Sequence, residues 1–256
     1  MDRAQSFDAE AVEAALRRLP VIELRGLFRR SSNYTFLVEL CDEADGSPPR
    51  SDGAAQSPVI AVYKPAQGES PLWDFPVGTL YRREVASYLL AKYLGWPRVP
   101  PTVIRDDAPH GVGAVQLFIE AQPNRHYLMS KGEPADLWIE VALFDVLTNN
   151  ADRKSGHCIT DGQGVIWMID HGLTFHAEPK LRTVIWDFAG CRVPRRLRPD
   201  LERTAESLTA GALADLRALI SRRELVMLRR RLDAMLQPGW ELPYPSSGWS
   251  VPWPPV

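Results

Sequence analysis

Four side chains in one short stretch define the chemistry to be tested. The run NNADRKSGH spans residues 149–157, and IDHG follows at 169–172. Within it, Asp152, Lys154, His157 and Asp170 supply a carboxylate, a cation, an imidazole and a second carboxylate. Moving a phosphoryl group from a nucleotide asks for such a set. The transfer needs little covalent help, but it needs a carboxylate beside the acceptor hydroxyl, a cation near the γ-phosphate and a further carboxylate for a divalent metal. Asp170 comes 18 residues after Asp152, past a hairpin, in a D-x-G in which Gly172 is expected to make the sharp turn.

Two more requirements concern the phosphates. Lys64 closes the strand-like VIAVYK, and Glu84 lies 20 residues later on a helical stretch, YRREVASYLL. The order strand, lysine, loop, helix, glutamate is that of protein kinases. Gly26 and the turn RRSSN offer Ser31, Ser32 and Asn33 as a phosphate-covering loop, although GxGxxG is absent. Taken singly, each of these is an ordinary surface group. NNADR also reads as a helix C-cap with a turn, and DHG as a hairpin exit. Five features in one order favour the chemical reading.

These residues need elements to carry them. A short amphipathic helix is expected over 8–19, ended by Pro20, then strands over 21–27, 34–40 and 59–63, the last delivering Lys64. The stretch 42–57, DEADGSPPRSDGAAQS, reads as a loop. A helix over 79–94 carries Glu84, and a strand pair is expected at 99–105 and 112–120. DLWIEVALFDVLT, residues 136–148, is apolar nearly all round, so it reads as a central buried helix leading into NNADR. A hairpin at 158–160 and 165–169 brackets DGQG, and helices follow at 200–209 and 211–236. The tail 237–256 holds three tryptophans and six prolines, and packing of Trp240, Trp249 and Trp253 is expected. The fold class is therefore α+β: an N-lobe rich in sheet over 1–120, a hinge near 116–122, a helical C-lobe over 123–236 and the tail, in a single 256-residue domain.

Composition excludes some classes. With a net charge of -2, the chain is not a generic polyanion binder, so no nucleic-acid partner is expected. Cys41, Cys158 and Cys191 form no CxxC pair, the first twenty residues carry acids and lack an apolar signal core, and no transmembrane segment is read. A cytoplasmic protein is expected. His110, His126 and His176 have no metal spacing. RVPRRLR, residues 192–198, reads equally as an anion dock or a solvated segment.

NNADRKSGHCI followed by WMIDHGLTFH resembles the catalytic and metal motifs of phosphatidylinositol 3- and 4-kinase-type domains, above all the type II 4-kinases, which carry N-x-D-R and then I-D-N-G-L-x-F. HipA-type and secretory-pathway kinases share this reduced plan. More closely, the chain is similar to a bacterial phosphatidylinositol 3/4-kinase-like family over residues 21–236. The resemblance implies a two-lobed protein-kinase-like fold with ATP between the lobes. It implies Asp152 as catalytic acid/base, Asp170 as chief Mg²⁺ ligand, Lys64 on ATP with Glu84 as its partner, and a hinge at 116–120 (Gln116, Phe118, Glu120) that meets adenine. Lys154 and His157 stand at the offsets of Lys and the metal-binding Asn in the HRDLKxxN pattern. His157 in place of Asn suits Mn²⁺ better than Mg²⁺. His171 stands where DFG has Phe.

The expectation is an ATP-dependent phosphotransferase, an atypical kinase using Mg²⁺ or Mn²⁺ and acting on a hydroxyl of a protein or small polar molecule. A phosphatidylinositol kinase ranks lower because no membrane-binding part is visible. Two further readings stay open: a pseudokinase that only binds nucleotide, and an AMP transferase on the same fold.

Overall fold

The computed structural model describes residues 8–27, 33–41, 58–129, 134–246 and 248–256. Ser31, Ser32 and the loop 42–57 lie outside the described residues. The chain divides into two compact units, Met1–Tyr81 with Pro100–Phe118, and Arg82–Val99 with Ile119–Val256. Residues 82–99 thus belong to the second unit, not to the first 120 residues with which they were grouped.

The first unit is a sheet with one helix. Helix α1 (Ala9–Arg18) starts at Asp8, whose carboxylate accepts the Glu10 and Ala11 amides at 3.1 and 3.0 Å. Its other end is capped by Arg105, whose guanidinium donates to the Leu16 and Leu19 carbonyls and pairs with Asp107. A cation at a helix C-terminus satisfies carbonyls that have no partner in the helix. Strands β1 (Val21–Leu27), β2 (Phe36–Leu40), β3 (Val59–Pro65), β4 (Thr102–Arg105) and β5 (Gly113–Leu117) form an antiparallel sheet in the order β1-β2-β3-β5-β4. Alternate residues Val38, Leu40, Ala61, Tyr63, Val103 and Val115 face Leu16 of α1 in one core.

Two strands are shorter than the sequence suggests. β4 begins at Thr102, because Pro100 and Pro101 have no N–H for a ladder. β5 ends at Leu117, so residues 118–120 are not strand. Gly113 lies opposite Pro65. A Cβ there would come within 2.5 Å of the Lys64 carbonyl oxygen and 2.7 Å of Pro65 Cα, so only glycine lets β5 close against this end of β3.

The second unit is helical. Helix α2 runs Leu80–Leu94 and α3 Ala135–Thr148. Trp138, Val141, Leu143, Phe144 and Leu147 of α3 are buried with Leu90 and Leu94 of α2, as an all-round apolar helix requires. Strands β6 (Cys158–Thr160) and β7 (Ile166–Met168) make the hairpin around Asp161, whose carboxylate accepts the Gln163 and Val165 amides and the Trp167 indole N–H. Helices α4 (Arg198–Ala210), α5 (Ala214–Leu219) and α6 (Arg222–Met235) complete it. The single helix expected over 211–236 is two. Gly211 ends α4 with φ 74°, and Ser221 starts α6 with a capping box to Glu224.

Among its described residues the tail has no α-helix. Trp240 packs on the core and Leu242 is buried in it, but Trp249 and Trp253 are 79 % and 89 % exposed, against the expectation that all three pack. Among the described residues, no helix is long and apolar enough to cross a membrane.

Candidate active site

The loop carrying Asp152 is built from the end of α3. Asn149 caps that helix in the left-handed conformation (φ 53°), and its amide clamps the His176 and Glu178 carbonyls and the Lys180 N–H. The C-cap reading of NNADR therefore holds for Asn149. Asn150 is buried. Its Nδ2 donates to Asp145 and its Oδ1 accepts the Asp152 N–H at 3.0 Å, which fixes the backbone that presents Asp152.

Beneath this loop lies an ion pair. Arg153 and Asp145 are both fully buried, with Arg153 Nε 3.1 Å from the carboxylate. Asn150 and Thr183 also donate to Asp145. Burial pushes the Asp145 carboxyl above its ordinary value, and Arg153 and the two hydrogen bonds pull against that rise. The rest of the guanidinium ties two further segments together: it donates to the His157 carbonyl in one, and in the other donates to the Ile169 carbonyl (3.0 Å) and lies 2.7 Å from His171 Nε2. A guanidinium only donates, so His171 Nε2 accepts and the imidazole is neutral with its proton on Nδ1. That accounts for a histidine where DFG has phenylalanine. The ring still packs edge-on against Phe144, and it also gives the buried guanidinium an acceptor.

Above the ion pair stand the four residues first singled out. Lys154 Nζ is 3.5 Å from Asp152 Oδ2. The Asp152 carboxyl is pushed up to about 6, chiefly by burial; the Lys154 ammonium opposes the rise and the Asp170 carboxylate adds to it. His157 Nε2 is 3.2 Å from Asp170 Oδ2, and its Nδ1 faces the Lys154 N–H at 3.4 Å. An Nδ1 that accepts leaves the ring proton on Nε2, pointed at Asp170. In this arrangement His157 is a hydrogen-bond donor to Asp170. Coordination of a metal ion through its Nε2 would require the other tautomer. Among the described residues, no group of three or more His, Cys, Asp or Glu side chains is placed to hold a metal ion. Asp170 has φ 59° and is half exposed. The left-handed residues of this turn are Asp170 and Phe175, not Gly172, which was expected to supply the turn.

Glu84 is buried on α2, and its Oε2 accepts the His171 N–H at 2.9 Å. This carboxylate holds the backbone of D-H-G. In the first unit, Lys64 sits on β3 opposite Ala114. Asn33 Oδ1 accepts the Ser70 N–H at 2.8 Å, and the Tyr34 N–H reaches the Gly68 carbonyl, so the loop after β3 is pinned to the residues before β2. Gln116 is buried and its amide donates to Thr102 Oγ1 (2.8 Å), a use within the sheet that its reading as a hinge residue did not foresee. The Phe118 N–H donates to the Ile60 carbonyl, and Glu120 is exposed.

Sequence reasoning missed Asp145, Asn150 and Thr183, and gave Arg153 no role. The signal was present: one carboxylate in an otherwise apolar run, LFDVLT, needs a buried partner. The basic cluster at 192–198 is engaged within the unit. Arg196 pairs with Glu140 and Asp136, Arg192 with Glu241, and Arg198 donates to the Leu236 carbonyl.

No family model matches the chain. Among solved structures, hydra Fam20 with sugar is similar at a TM-score of 0.54 and 16 % identity, covering 89 % of this chain and 88 % of that one. The Helicobacter pylori proinflammatory kinase CtkA is similar at a TM-score of 0.46 and 12 % identity, covering 86 % of this chain and 92 % of that one. The fold is thus the two-lobed protein-kinase-like one, with a sheet-rich lobe and a helical lobe. Protein Rv2133c of Mycobacterium tuberculosis (strain ATCC 25618 / H37Rv) is 36 % identical over 266 residues, covering 90 % of each chain. The chain belongs to the family of that mycobacterial protein.

Proposed function

We propose that the protein transfers the γ-phosphoryl group of ATP to a hydroxyl of a protein or small polar molecule, as an atypical kinase of the phosphatidylinositol 3/4-kinase-like group. The observation that carries this reading is the Asp152–Lys154 pair at 3.5 Å, with its carboxyl raised to about 6, in the same unit as the Asp170–His157 pair. A carboxylate poised near neutrality accepts a proton from an attacking hydroxyl more readily than one at its ordinary value. Lys154, beside it, would neutralise charge on the phosphoryl oxygens.

Lys64 is proposed to bind the nucleotide phosphates. Asn33, and Ser31 and Ser32 before it, are proposed to cover them, and main-chain groups at 116–120 to meet the base. Mg²⁺ or Mn²⁺ would neutralise the phosphates. A half-exposed carboxylate at a strained turn fits such an ion, which takes one or two protein carboxylates and completes its shell with phosphate oxygens and water. Asp170 would hold it, with His157 orienting that carboxylate. The free thiols Cys41, Cys158 and Cys191 favour a reducing compartment and so the cytoplasm.

Calorimetric titration with ATP, with and without Mn²⁺ or Mg²⁺, tests the reading together with ADP release. We expect metal-dependent ATP binding that Asp170→Asn weakens, and turnover that Asp152→Asn removes while binding persists. Binding without turnover in the unaltered protein would favour the pseudokinase. An adenylyl rather than a phosphoryl mass increment on a modified target would identify the AMP transferase.

A further inference from the structure

Residues 241–256 run back along the segment 183–192 and reach the loop that carries Asp152. Leu242 exchanges hydrogen bonds with the Gly190 N–H (2.8 Å) and the Cys191 carbonyl (2.9 Å), and Glu241 pairs with Arg192. Gly190 has φ 79°, and a Cβ there would collide with the Tyr244 hydroxyl. Further along, the Ser250 carbonyl accepts the Thr183 N–H (3.0 Å) and the Trp186 indole N–H (3.1 Å). The Pro255 carbonyl then accepts the Ser155 N–H at 2.8 Å. Ser155 is fully buried, adjoins Lys154 and lies three residues beyond Asp152, so this contact falls within about 10 Å of the proposed base along the chain.

The contacts differ from those of a packing strap. A strap that serves stability buries its aromatic side chains. Here Tyr244, Trp249 and Trp253 are exposed, and among the described residues of 243–256 only Ser250 and Pro252 are buried. The segment is held by main-chain carbonyls, which any extended polypeptide has. Recognition through main-chain groups is a common mode of peptide binding. After Ser250 the sequence is VPWPPV, which has no hydroxyl to receive a phosphoryl group. Three prolines in six residues also restrict its backbone, so less entropy is lost on binding.

We propose that residues 251–256 occupy the seat of an extended polypeptide acceptor as a non-reactive stand-in, so that the acceptor is a protein segment that must displace them. This rests on the phosphotransfer reading above. The Ser155 amide is the position at which the incoming main chain pairs.

The test uses the full chain, a chain shortened to end at Val251, and a full-length Pro254→Gly/Pro255→Gly variant. Ending at Val251 keeps the Ser250 carbonyl on Thr183 and Trp186, and the double-glycine variant loosens the segment if shortening impairs folding. Phosphorylation of a Ser/Thr peptide library should rise about tenfold in kcat/KM in the shortened chain, the factor expected if the seat is filled about nine-tenths of the time. The KM for ATP should stay unchanged. A synthetic peptide of residues 248–256 should inhibit competitively against the library and not against ATP. Hydrogen exchange at the Ser155 amide should quicken in the shortened chain and slow again with that peptide, a readout independent of turnover. Unchanged kcat/KM in both altered chains at an unchanged melting temperature would overturn the proposal. So would turnover of inositol-lipid vesicles with none of peptides. Peptide-protected exchange with no turnover in any chain would overturn the phosphotransfer reading instead, and the regulatory role with it.

Discussion

Asp145→Asn isolates the buried ion pair beneath the proposed base. The substitution keeps the shape of the side chain and removes its charge. Arg153 would then stay fully buried beside the Ile169 and His157 carbonyls and the His171 ring, with no counter-charge. Removing one partner of a buried pair costs about 3–5 kcal/mol, because the remaining charge cannot reach water. In a chain of this size each kcal/mol lowers the melting temperature by roughly 2–4 °C, so a fall of roughly 6–20 °C is expected. The double variant Asp145→Leu/Arg153→Met removes both charges. It should recover most of that stability, since apolar replacements of buried pairs are often neutral or better. It should nevertheless be a poor catalyst, because nothing then ties residue 153 to the carbonyls at 157 and 169. Thermal unfolding by circular dichroism, run on Asp145→Asn, on the single variants Asp145→Leu and Arg153→Met and on the double, and set beside ADP release, reads both effects. An Asp145→Asn protein within about 1 kcal/mol of the parent would show that the pair is not a structural keystone. A double variant as unstable as the sum of the singles would show the same.

Other expectations follow from the same geometry. With Asp152 acting as a base and its carboxyl at about 6, kcat/KM should fall about tenfold per pH unit below that value and level off above it; a flat profile from pH 5 to 8 counts against Asp152 as the base. The same raised carboxyl contributes stability that is fully present below its ordinary value of 3.8 and lost as pH rises through about 6. Asp152→Asn should therefore raise the melting temperature at pH 7.5 relative to pH 4. His157→Ala should weaken metal binding roughly 10–100-fold by releasing Asp170, with the Mn²⁺ to Mg²⁺ preference unchanged; a changed preference, read by calorimetry, would mean that the imidazole itself coordinates. Gly113→Ala should cost about 1–3 kcal/mol by overpacking against Lys64 and Pro65, and should weaken ATP binding by shifting the end of β3; unaltered affinity would argue that Lys64 does not touch the nucleotide.

Local patterns foretold much of this. The alternation in FLVEL and VIAVYK, the all-apolar helix before NNADR and the DGQG turn each name an element, because periodicity and turn chemistry act over a few residues. The break between α5 and α6 was also legible, since S-R-R-E at Ser221–Glu224 is a capping box inside an apparently continuous amphipathic stretch. Other features depend on partners distant in sequence. That α2 clusters with the helical unit follows from which face meets α3, and one sequence does not show this. The destination of Gln116 follows from the placement of Thr102 across the sheet. In the candidate site, the spacing of Asp152, Lys154, His157 and Asp170 was readable because it follows a known order. The tautomer of His157 and the acceptor role of His171 were not, since each depends on a donor that only the folded chain brings close. The exposure of Trp249 and Trp253 went against composition, which favours burial of tryptophan.

If Asp152 draws a proton from a hydroxyl while the γ-phosphoryl group of ATP moves onto it, the fate of each phosphate is fixed. A single-turnover incubation with ATP labelled at either the α- or the γ-phosphate, Mn²⁺ and a peptide library follows that fate. The γ-label should move to peptide hydroxyls, the α-label should not, and Asp152→Asn should stop the transfer while ATP still binds. Transfer of γ-label by the Asp152→Asn protein at the parent rate, or movement of α-label in its place, would contradict this chemistry.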